Sequence, residues 1–257
     1  GRYGNGASVD DVGRIAGISE GSVLKYSERC VKAILSLEAD AIWRLSEEER
    51  EVEKHWVEQH VGCTAFRDGW CTGNGTLVRL HQKPGLNGDA YFSWKMSYDL
   101  NVQVVNTFTN LQIVDYVTGF TGSAHDSNAF QYSAVVKHPG WFFETDHEFM
   151  WADSAYTVTS RVIPVHKRPA ADDPLNRQFD TAVSRIRIRS EHCMGAIKGR
   201  FQSLRGLRIR INRKRNHVDA CNWIRMCLIL HNLVIDIEGK DWATYYRSQL
   251  PREEYVN

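Results

Sequence analysis

Two carboxylates stand out in this sequence by their surroundings. Asp153 closes the short apolar run "EFMWAD", and strand ends in open α/β sheets face the ligand crevice. Glu191 is the single acid within residues 185–215, "RIRIRSEHCMGAIKGRFQSLRGLRIRINRKR", which hold Arg or Lys at eleven positions. A basic block of this density suits a phosphate backbone, and a carboxylate at a strand end is placed to meet a ligand. Each has a plainer reading. Glu191 can pair with Arg187, one helical turn earlier. The basic block can be a solvated helix face followed by a basic tail.

Other constellations are weaker. His125, His192 and His231 share no metal-ligand spacing, and Ser154 lacks a nucleophile-elbow pattern. Gly-Asn-Gly occurs at 4–6 and 73–75, too short for a nucleotide loop; Asn-Gly at 74–75 reads first as a turn pair. Cysteines fall at 30, 63, 71, 193, 221 and 227 with no C-x-x-C pair, which argues against zinc and for a reducing compartment. The tryptophans are scattered and are assigned to the core and loops.

The elements that must position the two acids follow from periodicity. "TLVRL" alternates, and 97–106 and 111–119 are β-rich runs joined by the polar "TFTN". "GSAHDSNAFQYSAVV" predicts a helix capped by Asp126 or Ser123. "EFMWADSAY" and "RVIPVHKRP" give two further short strands. After a polar loop, "AADDPLNRQ", a long helix is expected from Gln178 to Phe201, and "HVDACNWIRMCLILHNLVIDI" predicts a largely buried one. This order implies a mixed sheet with helices on both faces, an α/β domain.

Upstream, Val9, Val12, Ile15 and Ala16 follow helical spacing, Gly17 interrupts, and Val23, Tyr26, Cys30, Val31, Ile34 and Leu35 continue a second helix. This is a helix-turn-helix pattern, whose second helix would turn Glu20, Ser22, Lys25, Tyr26 and Arg29 toward a DNA groove. Packing or dimerisation is the alternative use. Ser46 and Glu49 form a capping box opening a solvent-facing bridging helix.

Taken in order, "GNGTLVRLHQKPG", "YDLNVQVVN", "GSAHDSNAF", "WADSAY", "IRSEHCMGAIKGRFQSLRGLRIRI" and "CLILHNLV" resemble the DDE transposase domain of the PIF/Harbinger superfamily from about Gly62 to Val234. The resemblance implies an RNase H-like fold and a DNA nuclease whose three acids hold two Mg2+ or Mn2+ ions for in-line phosphodiester cleavage. Asp153 matches the second acid and Glu191 the third. Asp126 matches the family's "HDS" position, read chiefly as a helix cap and otherwise as a metal ligand. The first acid lies in a "DGT" turn, and here that turn reads "NGT", so Asn74 occupies the position. An amide oxygen can touch a cation but brings no charge. Asp68, six residues upstream, is a remote candidate to replace it.

The resemblance further implies DNA contact through Arg187, Arg189, Lys198, Arg200 and Arg205, beside Lys25 and Arg29 of the helical unit. It also implies a nuclear location and either a homodimer or a separate DNA-binding partner protein. The expected organisation is a helical region over 1–60, the nuclease domain over 61–240 and a tail over 241–257. An inactive scaffold for DNA or protein binding is the competing outcome.

Composition supports a globular chain: 257 residues, 42 % hydrophobic and 25 % charged, with a net charge of +1. The longest apolar run, "MCLILHNLVIDI", is short for a membrane span and interrupted by His231 and Asp236, so no membrane association is expected. The opening "GRYGNGASVDD" lacks the apolar core of a signal peptide and reads like the middle of a longer chain.

Overall fold

The computed structural model describes residues 8–238; the tail assigned to 241–257 and the first Gly-Asn-Gly lie outside them. The N-terminal helices start where short polar side chains can satisfy free N–H groups. Ser8 and Asp11 form a capping box on α1 (Val9–Ala16), and Ser19 caps α2 (Glu20–Ser36). Gly17, at φ 67°, supplies the left-handed turn between them. The pair of helices exists, but its expected apolar stripe is only partly used: Val23 is buried, whereas Ile15, Tyr26 and Cys30 are exposed.

A single turn, α3 (Glu38–Ala41), leads to α4 (Glu47–Val61), opened by the expected Ser46–Glu49 capping box. The solvent-facing bridge is met on one side of α4 only. Its other side buries Val57 together with Arg50, Glu53 and Lys54. Lys54 Nζ lies 2.7 Å from the buried carboxylate of Glu148, which Arg50 also approaches. Charges rarely lie buried unless paired, so this cluster fastens α4 to the start of the fourth strand.

The sheet holds five strands: β1 (Gly69–Arg79), β2 (Asp99–Asn106), β3 (Ile113–Thr121), β4 (Phe149–Ala152) and β5 (Val162–Pro164). Their order is β3-β2-β1-β4-β5, with β1, β2 and β3 antiparallel and β4 and β5 parallel to β1. Between β3 and β4 the expected single helix is two short ones, α5 (Asp126–Phe130) and α6 (Ala134–Lys137). The long helix α7 (Pro174–Arg200) begins four residues before Gln178, because Asp173 caps it and Pro174 takes the first helical position. α8 (Lys214–Glu238) completes the fold.

Val78, Leu80, Leu100, Val102 and Val104 form one sheet face and pack on α7 and α8 through Cys193, Ile197, Ile224 and Leu228. On the other face Trp70, Val105, Phe130, Val135 and Met150 make a second core. This is the mixed sheet flanked by helices of an RNase H-like α/β fold. α8 is long and apolar enough to cross a membrane by length and composition, but 56 % of that apolar window is buried inside the protein, as befits a core helix.

Candidate active site

Asn74 is not in a turn. β1 starts at Gly69, earlier than the alternating run suggested, so Asn74 sits inside the strand opposite Val104 of β2. Side chains alternate across a sheet. Asn74, Thr76 and Val78 therefore face α7 and α8, while Gly73 and Gly75 face α5.

α7 runs along this face of β1. The Asn74 amide donates from Nδ2 to Glu191 Oε1 at 2.7 Å and to Ser190 Oγ at 3.2 Å. Seven residues further along α7, Lys198 Nζ donates to Thr76 Oγ1 at 2.7 Å and to the Leu77 carbonyl at 2.9 Å. Seven helical residues advance about 10 Å, and three strand residues advance about 10 Å. The two elements thus stay in step, and Glu191 is held level with Asn74.

Asp153 arrives from the neighbouring strand. Gly73 pairs with Ala152 in the parallel β1–β4 register, so Asp153 follows directly beside Asn74. Adjacent strands lie about 4.8 Å apart. Asn74 and Glu191, drawn from remote segments, are in contact, and the register sets Asp153 on the strand next to Asn74. Arg187 does not pair with Glu191 as the helical spacing allowed. Its guanidinium lies 3.8 Å from Asp153, and its buried Nε has no hydrogen-bond partner among the described residues. Asp68 precedes β1 at the opposite end, six residues or about 20 Å from Asn74, and does not reach the site.

Asp126 lies on the other face. A Cβ on Gly75 would stand 2.6 Å from Asp126 Oδ1, so the carboxylate packs against the side of β1 opposite Asn74. It is not the helix cap: the N-cap of α5 is His125, with no side-chain cap bond. Asp126 Oδ1 instead accepts from Asn101 Nδ2 at 2.8 Å and Gln103 Nε2 at 2.7 Å. Gln103 in turn accepts the hydroxyl proton of Tyr156, three residues past Asp153. Burial pushes the Tyr156 phenol well up, with the charges of Asp126 and Asp153 adding to it. Asp126 therefore supports the loop that carries Asp153.

The buried polar stripe behind this network was available to sequence reading. Asp99, Asn101 and Gln103 alternate with Leu100, Val102 and Val104 in a strand whose eight residues are all buried. Polar residues at every second position of a fully buried strand require partners. Ser190, which takes the second Asn74 hydrogen, had no comparable signal.

The basic residues divide. Arg189 donates to the carbonyls of Phe108 and Thr109, at 2.5 and 2.9 Å, and so turns inward from the face expected to meet DNA. The backbone N–H groups of the same two residues donate to Glu53 of α4, at 2.7 and 3.0 Å. Lys198 also points inward, and burial lowers its pKa to about 8. Arg200 is bound to Glu238 at 2.7 Å. Arg205, Lys25 and Arg29 are exposed.

A family model described as DDE superfamily endonuclease matches residues 74–232, more than half of the chain. The chain belongs to this family. No curated protein and no solved structure matches it. The match begins at Asn74 and ends at Asn232, which lies in α8 and holds the backbone of Ile113 on β3 from both sides, accepting from its N–H and donating to its carbonyl.

Endonucleases of the DDE superfamily act on DNA with divalent metals, and the expected ligands here are Asn74, Asp153 and Glu191. The residues present do not fit that group. A cation needs inward oxygen donors, whereas Asn74 directs its NH2 group at Glu191. Reversing the amide would turn Oδ1 toward Oε1, an arrangement favourable only with a cation between them. Asp153 is drawn to Arg187, and among the described residues no group of three His, Cys, Asp or Glu side chains could hold a metal ion.

Proposed function

We propose that this chain is a transposase-derived DDE protein of the PIF/Harbinger branch that binds DNA and has lost strand cleavage at its own site. One contact carries the proposal: the Asn74 amide occupies, as a hydrogen-bond donor, the gap that a cation would bridge. A charge-assisted hydrogen bond of this kind contributes about 1.5–3 kcal/mol, so the closed arrangement is stable without metal. The ordered motif set supports the branch, since "WADSAY" and "RSEHCMGAIKGRF" carry the second and third acids of that pattern.

DNA contact is supported by the segment 207–211. Leu207, Ile209 and Ile211 are buried, while Arg208 and Arg210 are exposed between them and continue from exposed Arg205 into Arg213, Lys214 and Arg215. This alternation turns successive guanidinium groups to one solvent side, where phosphates release counterions on binding. A nuclear location goes with such a partner.

The test is a nicking assay on supercoiled DNA with Mg2+ and with Mn2+. The wild-type chain is expected to retain salt-sensitive DNA binding without nicking, and Asn74→Asp to regain metal-dependent nicking. Turnover by the wild-type chain would restore the alternative, an active two-metal nuclease that tolerates an amide ligand.

A further inference from the structure

The loop between Phe92 and Tyr98 displays large apolar side chains that none of the described residues covers. Trp94 is 79 % exposed and Met96 76 %. Solvent exposure of an indole and a thioether two residues apart forgoes the burial that normally stabilises them.

The display is built, not slack. Phe92 and Tyr98 form an antiparallel bridge at the base of the loop. Ser93 N–H donates to the Ser97 carbonyl at 2.8 Å, and Met96 N–H to the Ser93 carbonyl at 3.0 Å. Beneath the loop the buried carboxylate of Asp99 accepts the hydroxyls of both Ser93 and Ser97. Met96 takes a left-handed backbone, φ 58°, a conformation uncommon outside glycine. The backbone is thus fixed so that Trp94, Lys95 and Met96 project outward together.

Cations surround the display. Lys95 Nζ stands 5.1 Å from the Trp94 ring centroid. Arg205 Nε donates to the Lys198 carbonyl at 3.2 Å and its side chain is exposed. The low pKa of Lys198 has burial as its main cause, with Lys95 and Arg205 as further contributors, which places the three cations within range of one another. Among the described residues no acidic side chain forms an ion pair with Lys95 or Arg205, and Asp99 is occupied by its two serines.

We infer that the Trp94 loop is a nucleic-acid contact in which the indole stacks on an unpaired base while Lys95 and Arg205 hold the flanking phosphates. A rigid aromatic among unpaired cations matches the chemistry of single-stranded nucleic acid, in which every base offers a π-face and every linkage a charge. The position also fits. Asp99 pairs with Arg79, five residues along β1 from Asn74, so the loop begins about 17 Å from that residue. That span corresponds to roughly five base-pair steps, at 3.4 Å each along one strand. Unpaired DNA at Trp94 would thus lie about half a helical turn from positions 74, 153 and 191.

This inference rests on the DNA-binding reading, and the experiment separates the two. Binding of the whole chain is measured on a blunt duplex and on the same duplex with a single-stranded 3′ overhang, for wild type, Trp94→Ala and Trp94→Phe. The wild type is expected to bind both and to favour the overhang. Trp94→Ala is expected to weaken overhang binding about tenfold while leaving the blunt duplex within about twofold, and Trp94→Phe to restore most of the loss. Equal affinities of Trp94→Ala and wild type on the overhang, or an equal loss on both DNAs, would overturn the stacking contact. A wild type that binds neither DNA would overturn the reading beneath it. The exposed position keeps Trp94→Ala folded, which a thermal melt matching the wild type verifies.

Discussion

Asn74 and Glu191, 117 residues apart in sequence, are joined by a 2.7 Å hydrogen bond from the amide to the carboxylate. The bond couples β1 to α7. An aspartate at position 74 would set two carboxylates against each other without a cation between them, and like charges at such range disfavour joint ionisation. Asn74→Asp is therefore expected to lower stability by about 1.5–3 kcal/mol in chelator at neutral pH. Added Mn2+ should recover most of the loss. Thermal melts with EDTA and with Mn2+ check this, and a variant as stable as wild type in EDTA would contradict it.

Glu53 and Arg189 grip one turn from opposite sides. Glu53 accepts the N–H groups of Phe108 and Thr109, and Arg189 donates to the carbonyls of the same residues. Because Arg189 lies two residues before Glu191, this grip also sets the height of α7 against the sheet. Glu53 is almost fully buried, and burial raises its carboxyl pKa. Glu53→Ala leaves the buried Phe108 N–H and the half-buried Thr109 N–H without their acceptor and is expected to destabilise the chain by about 2–4 kcal/mol. Chemical denaturation of this variant measures it.

Lys198 gives the site region a pH signature. Burial depresses its folded-state pKa to about 8, below the ordinary lysine value near 10.5. Between those values the unfolded chain binds more protons than the folded one, so stability rises with pH there. Below about pH 8 the ammonium is carried into the fold at a cost. Wild type should gain stability between pH 8 and pH 10.5 from this group, and Lys198→Met should flatten that rise. Denaturation midpoints across the range compare the two.

Gly75 leaves room for Asp126. An added Cβ would approach the carboxylate to 2.6 Å and Gln103 Nε2 to 2.8 Å, breaking the amide network that reaches Tyr156. Gly75→Ala should destabilise the chain by about 1–3 kcal/mol. A smaller loss in the double variant Gly75→Ala with Asp126→Ala would assign the cost to that contact.

Much of this architecture was legible in the residues. Alternation and capping signals located the strands and most helices, and the ordered motifs singled out Asn74, Asp153 and Glu191, of which Asn74 and Glu191 share a hydrogen bond. The misreadings have local causes. Asn-Gly favours turns, but the strand partner Val104 and the packing of α7 hold Asn74 extended, so tertiary pairing overrides the dipeptide. Asp-Pro at 173–174 resembled a loop because its capping role depends on the helix that follows. Arg189 and Lys198 looked like phosphate ligands by composition, yet their direction is set by where α7 rests against β1 and the 107–110 turn. No periodicity encodes that rotation. The exposure of Trp94 was equally hidden, since a tryptophan between serine and lysine gives no sign of which way its loop turns.

We propose that the hydrogen bond from the Asn74 amide to Glu191 closes this site to metal. Calorimetric titration of Mn2+ into the wild-type chain and into Asn74→Asp tests it most directly. No saturable binding is expected from the wild type at millimolar Mn2+, and clear saturation from Asn74→Asp, lost again when Glu191→Gln is added. Saturable Mn2+ binding by the wild-type chain that disappears on Glu191→Gln would contradict it.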